Sequence, residues 1–144
     1  MYLVDTNVIS EARKRERADK GVRAFFRQAV KDSADLYLSV VTVGELRRGV
    51  ELIRHRGDAK QTALLEKWFN ALVSDFAHHI LPIDADIGQV WGALRAPRAE
   101  NAIDKLIAAT ALIHDLTVVT RNVDDFAGTG VAVLNPFARS ARSE

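Results

Sequence analysis

Residues 102–126 read AIDKLIAATALIHDLTVVTRNVDDF, and this stretch decides the fold. Its first half places Ile103, Leu106, Ile107 and Ala111 at helical spacing. Its second half opens with Leu116–Thr120, a short apolar run rich in β-branched residues. A helical period followed by a continuous apolar run predicts a helix feeding a buried strand. The same alternation recurs on both sides. Tyr2–Val4, Leu36–Val41, His79–Ile83 and Val131–Leu134 predict four further strands. Between them, Val43, Leu46, Val50 and Ile53 predict a helix over 42–56. Leu64, Leu65, Trp68, Leu72 and Phe76 predict one over 61–77, and Ile87, Val90, Trp91 and Leu94 one over 84–96. Strands alternating with helices predict an α/β protein whose parallel sheet is covered on both faces.

Composition agrees with one folded domain. The chain has 144 residues, 48% hydrophobic and 27% charged, close to a soluble globular average and far from a disordered one. We expect a single domain over 1–137, with the small polar segment 138–144 (ARSARSE) as a frayed tail. There are 20 Lys and Arg against 19 Asp and Glu, so net charge steers no polyanion and a nucleic-acid partner must be met by a local patch. The absence of cysteine excludes disulfides, thiol catalysis and thiolate-bound zinc. No apolar run approaches the ~18 residues of a membrane span, and MYLVDTN carries no secretory pattern. The expectation is a cytoplasmic protein with no membrane partner.

In open parallel sheets, ligands bind beyond the carboxyl ends of the strands. Asp5 directly follows the first predicted strand. Glu45 falls in the first turn of the helix after the second. Asn101 is placed to cap the helix that carries Asp104 in its first turn, and Asn122, Asp124 and Asp125 follow Leu116–Thr120. An acid in a first helical turn is favoured by the helix dipole by ~0.3–1 kcal/mol, which alone would explain Glu45 or Asp104. Asp124 and Asp125 alone would pass as turn residues. Asp5 is different, because a carboxylate against a buried strand is costly unless paired. Acids at every one of these strand ends point to a shared cation. Oxygen ligands without His or Cys favour Mg²⁺ or Mn²⁺. The chemistry suggested is metal-dependent phosphodiester hydrolysis.

The same residues resemble a known family. MYLVDTNVISE, at the start, looks like the first motif of PIN-domain ribonucleases. Ser39–Val50 (SVVTVGELRRGV) resembles the second, Asp104–Ala111 (DKLIAATA) the third, and Thr120–Phe126 (TRNVDDF) the fourth. Val133–Phe137 (VLNPF) also fits small bacterial toxins of the VapC and FitB type. The resemblance covers nearly the whole chain. It implies a three-layer α/β/α sandwich around a small, mainly parallel five-stranded sheet. It implies Mg²⁺- or Mn²⁺-dependent RNA cleavage, inhibition by a cognate antitoxin, and a homodimer or higher toxin–antitoxin assembly that meets DNA only through the antitoxin. By motif position, Asp5, Glu45 and Asp104 match the acidic triad, with Asp5 and Asp104 as direct ligands and Glu45 as ligand or base. The fourth position falls on Asn122, which leaves Asn122, Asp124 or Asp125 to supply the last oxygen. Thr6, Asn7, Ser39 and Thr42 are placed to order water or phosphate.

Basic residues at 13–27 and at Arg47, Arg48, Arg54 and Arg56 read mostly as solvated helix faces. Arg47 and Arg48, one turn beyond Glu45, are the better phosphate contacts, and Arg121 is placed to meet a phosphate or a site carboxylate. Trp68, Phe69, Phe76 and Trp91 read as core or oligomer contacts. His55, His78, His79 and His114 lack zinc-like spacing. The helices around 8–30 and 42–77 are expected to leave a groove for an antitoxin helix. Three other functions compete. An aspartate-nucleophile phosphatase would need an acid where Asn7 stands, and a phosphoacceptor receiver would need a Lys where Asn135-Pro136 follows the last strand. A non-catalytic interaction module is the third.

Overall fold

Leu3 and Val4 are neighbours in one strand, and both are fully buried. Val118 and Val119 repeat this in another. Successive strand residues point to opposite faces, so the sheet has no solvent face and must carry helices on both. The computed structural model describes residues 1–138. Its strands are β1 (Tyr2–Val4), β2 (Leu36–Ser39), β3 (Ile80–Leu81), β4 (Thr117–Val119) and β5 (Val133–Leu134). Its α-helices are α1 (Thr6–Ala12), α2 (Lys20–Lys31), α3 (Val40–His55), α4 (Ala59–Asp75), α5 (Ala85–Arg95) and α6 (Ala102–His114). Short 3₁₀ turns lie at Arg15–Arg17 and Val123–Phe126.

Every strand pair is parallel, and the order is β3-β2-β1-β4-β5. On one face Val4, Leu38 and Val119 pack with Val8, Val22, Leu46 and Phe69 from α1 to α4. On the other, Leu3 and Val118 pack with Ile107, Ala108 and Ala111 of α6 and with Phe126. This is the expected α/β/α sandwich. Trp68 and Phe76 pack against the first core, beside the buried Phe69. No helix among the described residues is long and apolar enough to cross a membrane.

Local chemistry moves several boundaries from their expected places. The strand expected over Leu36–Val41 ends at Ser39, because the Ser39 hydroxyl accepts from Val41 N at 3.0 Å and caps α3. The helical stretch around 8–30 divides: α1 ends at Ala12, Arg15 turns left-handed (φ 54°), and Asp19 caps α2. Asn101 occupies the cap position of α6, but with φ 57° its side chain makes no capping bond. Of the expected tail 138–144, all but Ala138 lies outside the described residues.

Candidate functional site

The strand order reverses between β1 and β4, since β1 continues to β2 on one side and meets β4 on the other. A crevice opens at such a switch point, beyond the carboxyl ends of the strands. Asp5 leaves β1 there and Thr120 leaves β4, with Asp5 N donating to Val119 O at 2.9 Å. Asp5 is 4% exposed, and both its oxygens are occupied. Oδ1 accepts from Thr6 N at 2.8 Å, which caps α1. Oδ2 accepts from Thr120 Oγ1 at 2.8 Å and from Asn7 Nδ2 at 3.4 Å. Burial pushes the Asp5 carboxyl above the usual range; the hydrogen bonds from Thr120, Thr6 and Asn7 oppose this, and the Glu45 charge adds to it.

Asp104 stands in the first turn of α6, half-buried. Its carboxyl is pushed up to about 6, first by burial, then by the charges of Asp5, Asp125 and Glu45 and by a hydrogen bond with the Asp125 side chain. Four carboxylates from separate segments therefore act on one another. No ion pair among the described residues involves any of them. The start of α6 is pinned by its neighbours. Trp91 Nε1 donates to Ala102 O at 2.9 Å. The buried Lys105 ammonium donates to the carbonyls of Arg98 and Glu100, the latter at 2.8 Å.

The other expected residues fall into two groups. Several converge on the acids. Thr6 Oγ1 donates to Glu45 Oε1 at 2.7 Å. Asn7 links Thr120 Oγ1 (3.2 Å) to the backbone N–H of Arg121 (3.0 Å). Asn122 is exposed, and its N–H donates to Thr120 Oγ1 at 3.0 Å. Asp124 is exposed as well. The rest lie apart. Ser39 and Thr42 are fully buried, and the Thr42 hydroxyl has no hydrogen-bond partner. Arg47 is paired with Glu51 at 2.7 Å and Glu66 at 2.9 Å, between α3 and α4, while Arg48 is exposed. His79 Nδ1 meets Leu36 O at 3.0 Å.

Thr120 was not singled out from sequence, although it organises the site: one hydroxyl serves Asp5, Asn7 and Asn122. Its signal was a hydroxyl closing an apolar strand, just before the Arg121-Asn122 turn.

The donor set suits a hard cation. All four acids offer oxygen, and among the described residues no lysine or arginine forms an ion pair with any of them. Among the described residues no group of three or more His, Cys, Asp or Glu side chains stands close enough to hold a metal ion. Mg²⁺ does not require such a group, since it keeps several waters and is usually held through one or two carboxylates.

Comparison with known proteins adds a second line. The chain is 37% identical over 142 residues to Toxin FitB of Neisseria gonorrhoeae, covering 95% of this chain and 99% of that protein. It is 32% identical over 142 residues to VapC ribonuclease Y4jK of Sinorhizobium fredii, covering 95% and 98%. The fold matches a solved structure of FitAB bound to an IR36 DNA fragment, with TM-score 0.82, 35% identity, and 97% and 98% of the two chains covered. The PIN domain profile matches residues 2–131, and the chain belongs to the PIN-domain family.

Proposed function

We propose that this chain is a Mg²⁺- or Mn²⁺-dependent ribonuclease and the toxin of a toxin–antitoxin pair. The observation that carries the metal-dependent chemistry is the Asp104 carboxyl, raised to about 6 by burial and by the charges of Asp5, Asp125 and Glu45, with no ion pair to balance them among the described residues. In this reading Asp5 and Asp104 hold the metal, with Glu45 and the Asn122–Asp125 turn completing its surroundings. A bound divalent ion supplies a more acidic water and neutralises charge developing on the phosphodiester oxygens. The protein's own part is to hold and to accept. Thr120 and Asn7 fix Asp5, so its charge costs no reorganisation during the reaction. Thr6 holds Glu45 Oε1 and leaves Oε2 free to take a proton from the attacking water.

RNA as substrate is supported by the relative named VapC ribonuclease, and the toxin role by the relative named Toxin FitB. An antitoxin partner finds support in a groove of about 230 Å³ between α1, α3 and α4, lined by Ser10, Arg13, Glu45, Gly49 and Trp68. It joins the acids at Glu45, so a segment lying there would reach the site. DNA contact through the antitoxin, a homodimeric assembly and a cytoplasmic location complete the proposal. Purified protein should cleave RNA with Mg²⁺ or Mn²⁺ and stop with EDTA. Asp5→Asn and Asp104→Asn should each abolish cleavage and host toxicity while remaining folded. Wild-type rates in either variant would overturn the acidic-site reading.

A further inference from the structure

The last described segment runs back over the start of α2. Ala138 N donates at 2.8 Å to Asp19 Oδ1, the same oxygen that accepts from Gly21 N at 2.8 Å and Val22 N at 3.1 Å. A Cβ at position 21 would lie 2.0 Å from Pro136 O and 2.6 Å from Ala138 N. The segment therefore lies flush on a helical turn that only glycine permits. Phe137 packs partly into the core, and the Arg121 guanidinium carbon sits 4.7 Å from its ring centroid.

Arg121 is consequently held at two points. Its backbone N–H is bound by Asn7, whose amide also reaches Asp5. Its guanidinium is laid over the Phe137 ring. Yet among the described residues that guanidinium makes no hydrogen bond and no ion pair, whereas Arg47 and Arg54 are both taken up by Glu51 and Glu66. Stacking fixes the plane of a guanidinium and leaves its fork of N–H donors free at the edge, a form suited to two phosphate oxygens.

We propose that Arg121 binds a phosphate of the RNA strand beside the acidic site, and that the segment Asn135–Ala138 positions it through the Phe137 ring. This rests on the ribonuclease reading. Arg121 is the binding residue, and Phe137 and Gly21 are positioning residues.

The test is binding of a labelled short single-stranded RNA to the full chain in EDTA, across a series of salt concentrations, so that cleavage plays no part. Arg121→Ala should weaken binding about tenfold and make the log–log salt slope shallower by ~0.7, the share of one phosphate contact on a single strand. Arg121→Lys should keep the slope and lose part of the affinity, because it keeps charge without the fork. Phe137→Leu, which retains apolar bulk, and Gly21→Ala, which displaces the strap, should each weaken binding. In the Arg121→Ala background, neither should weaken it further. An unchanged slope in Arg121→Ala overturns the phosphate site. Full additivity of Phe137→Leu with Arg121→Ala overturns the positioning role. Wild-type protein that neither binds this RNA in EDTA nor cleaves it with Mg²⁺ overturns the ribonuclease reading beneath both, whereas cleavage with no binding at any salt overturns the phosphate site alone.

Discussion

Thr120 Oγ1 joins three groups at the bottom of the site, donating to Asp5 and accepting from Asn7 and from the Asn122 backbone. Hydrogen bonds to a buried charge are worth more than average, and removing one leaves the charge unsatisfied. Thr120→Val keeps the shape and removes the hydroxyl. It should lower stability by roughly 1–3 kcal/mol, read as a shifted denaturant midpoint, and should reduce cleavage as Asp5 loses a bond that holds its carboxyl down. Asp104 makes a prediction about pH. Its folded carboxyl titrates near 6, above the ordinary value of 3.8. The native state thus binds more protons than the unfolded state between these values, and stability falls as pH rises. In EDTA, the advantage should be complete below about pH 4 and lost as pH climbs through about 6. Asp104→Asn should remove most of this slope; an equal slope in both proteins would show that Asp104 is not strained by its neighbours. Asp5 and Asp104 were legible as acids at strand and helix ends. Thr120 was not, because a threonine closing a β-rich strand satisfies the strand on its own.

The connection between α5 and α6 sets where Asp104 points. Lys105 is buried, and its ammonium ties down the carbonyls of Arg98 and Glu100 while Trp91 ties that of Ala102. Lys105→Met fills a similar space but orphans those carbonyls. It should cost roughly 1–3 kcal/mol and lower cleavage without touching any acid. Cleavage at the wild-type rate would mean that Asp104 is held without this connection. Lys105 adjoins Asp104 in sequence, yet nothing in its spacing marks it as buried, since lysine is almost never buried without a partner. Backbone carbonyls brought by a loop are partners that sequence does not display. The same limit applies at Ser39. Its hydroxyl closes β2 by capping α3, so Val40 and Val41 leave the sheet despite a strong strand preference. By contrast, α3, α4, α5 and α6 form where their apolar periodicity places them, because packing on a buried sheet requires such a stripe, although Leu64 and Ile103, counted in it, are exposed.

The strand order explains why the acids meet. Parallel order β3-β2-β1-β4-β5 puts the carboxyl ends of β1 and β4 side by side, although Asp5 and Asn122 are far apart in the chain. Alternation alone announced a covered parallel sheet; the strand order came from the structure. The central claim is that this switch point gathers carboxylates for a divalent cation. It is tested most directly by thermal melts of wild type and Asp104→Asn at neutral pH, first in EDTA and then with excess Mg²⁺. Binding only to the folded state adds about 2.7 kcal/mol when the ion is at roughly a hundredfold its Kd. Wild type should melt below Asp104→Asn in EDTA and gain several degrees with Mg²⁺, while Asp104→Asn should barely respond. Identical melting of the two proteins under both conditions would contradict a shared metal site.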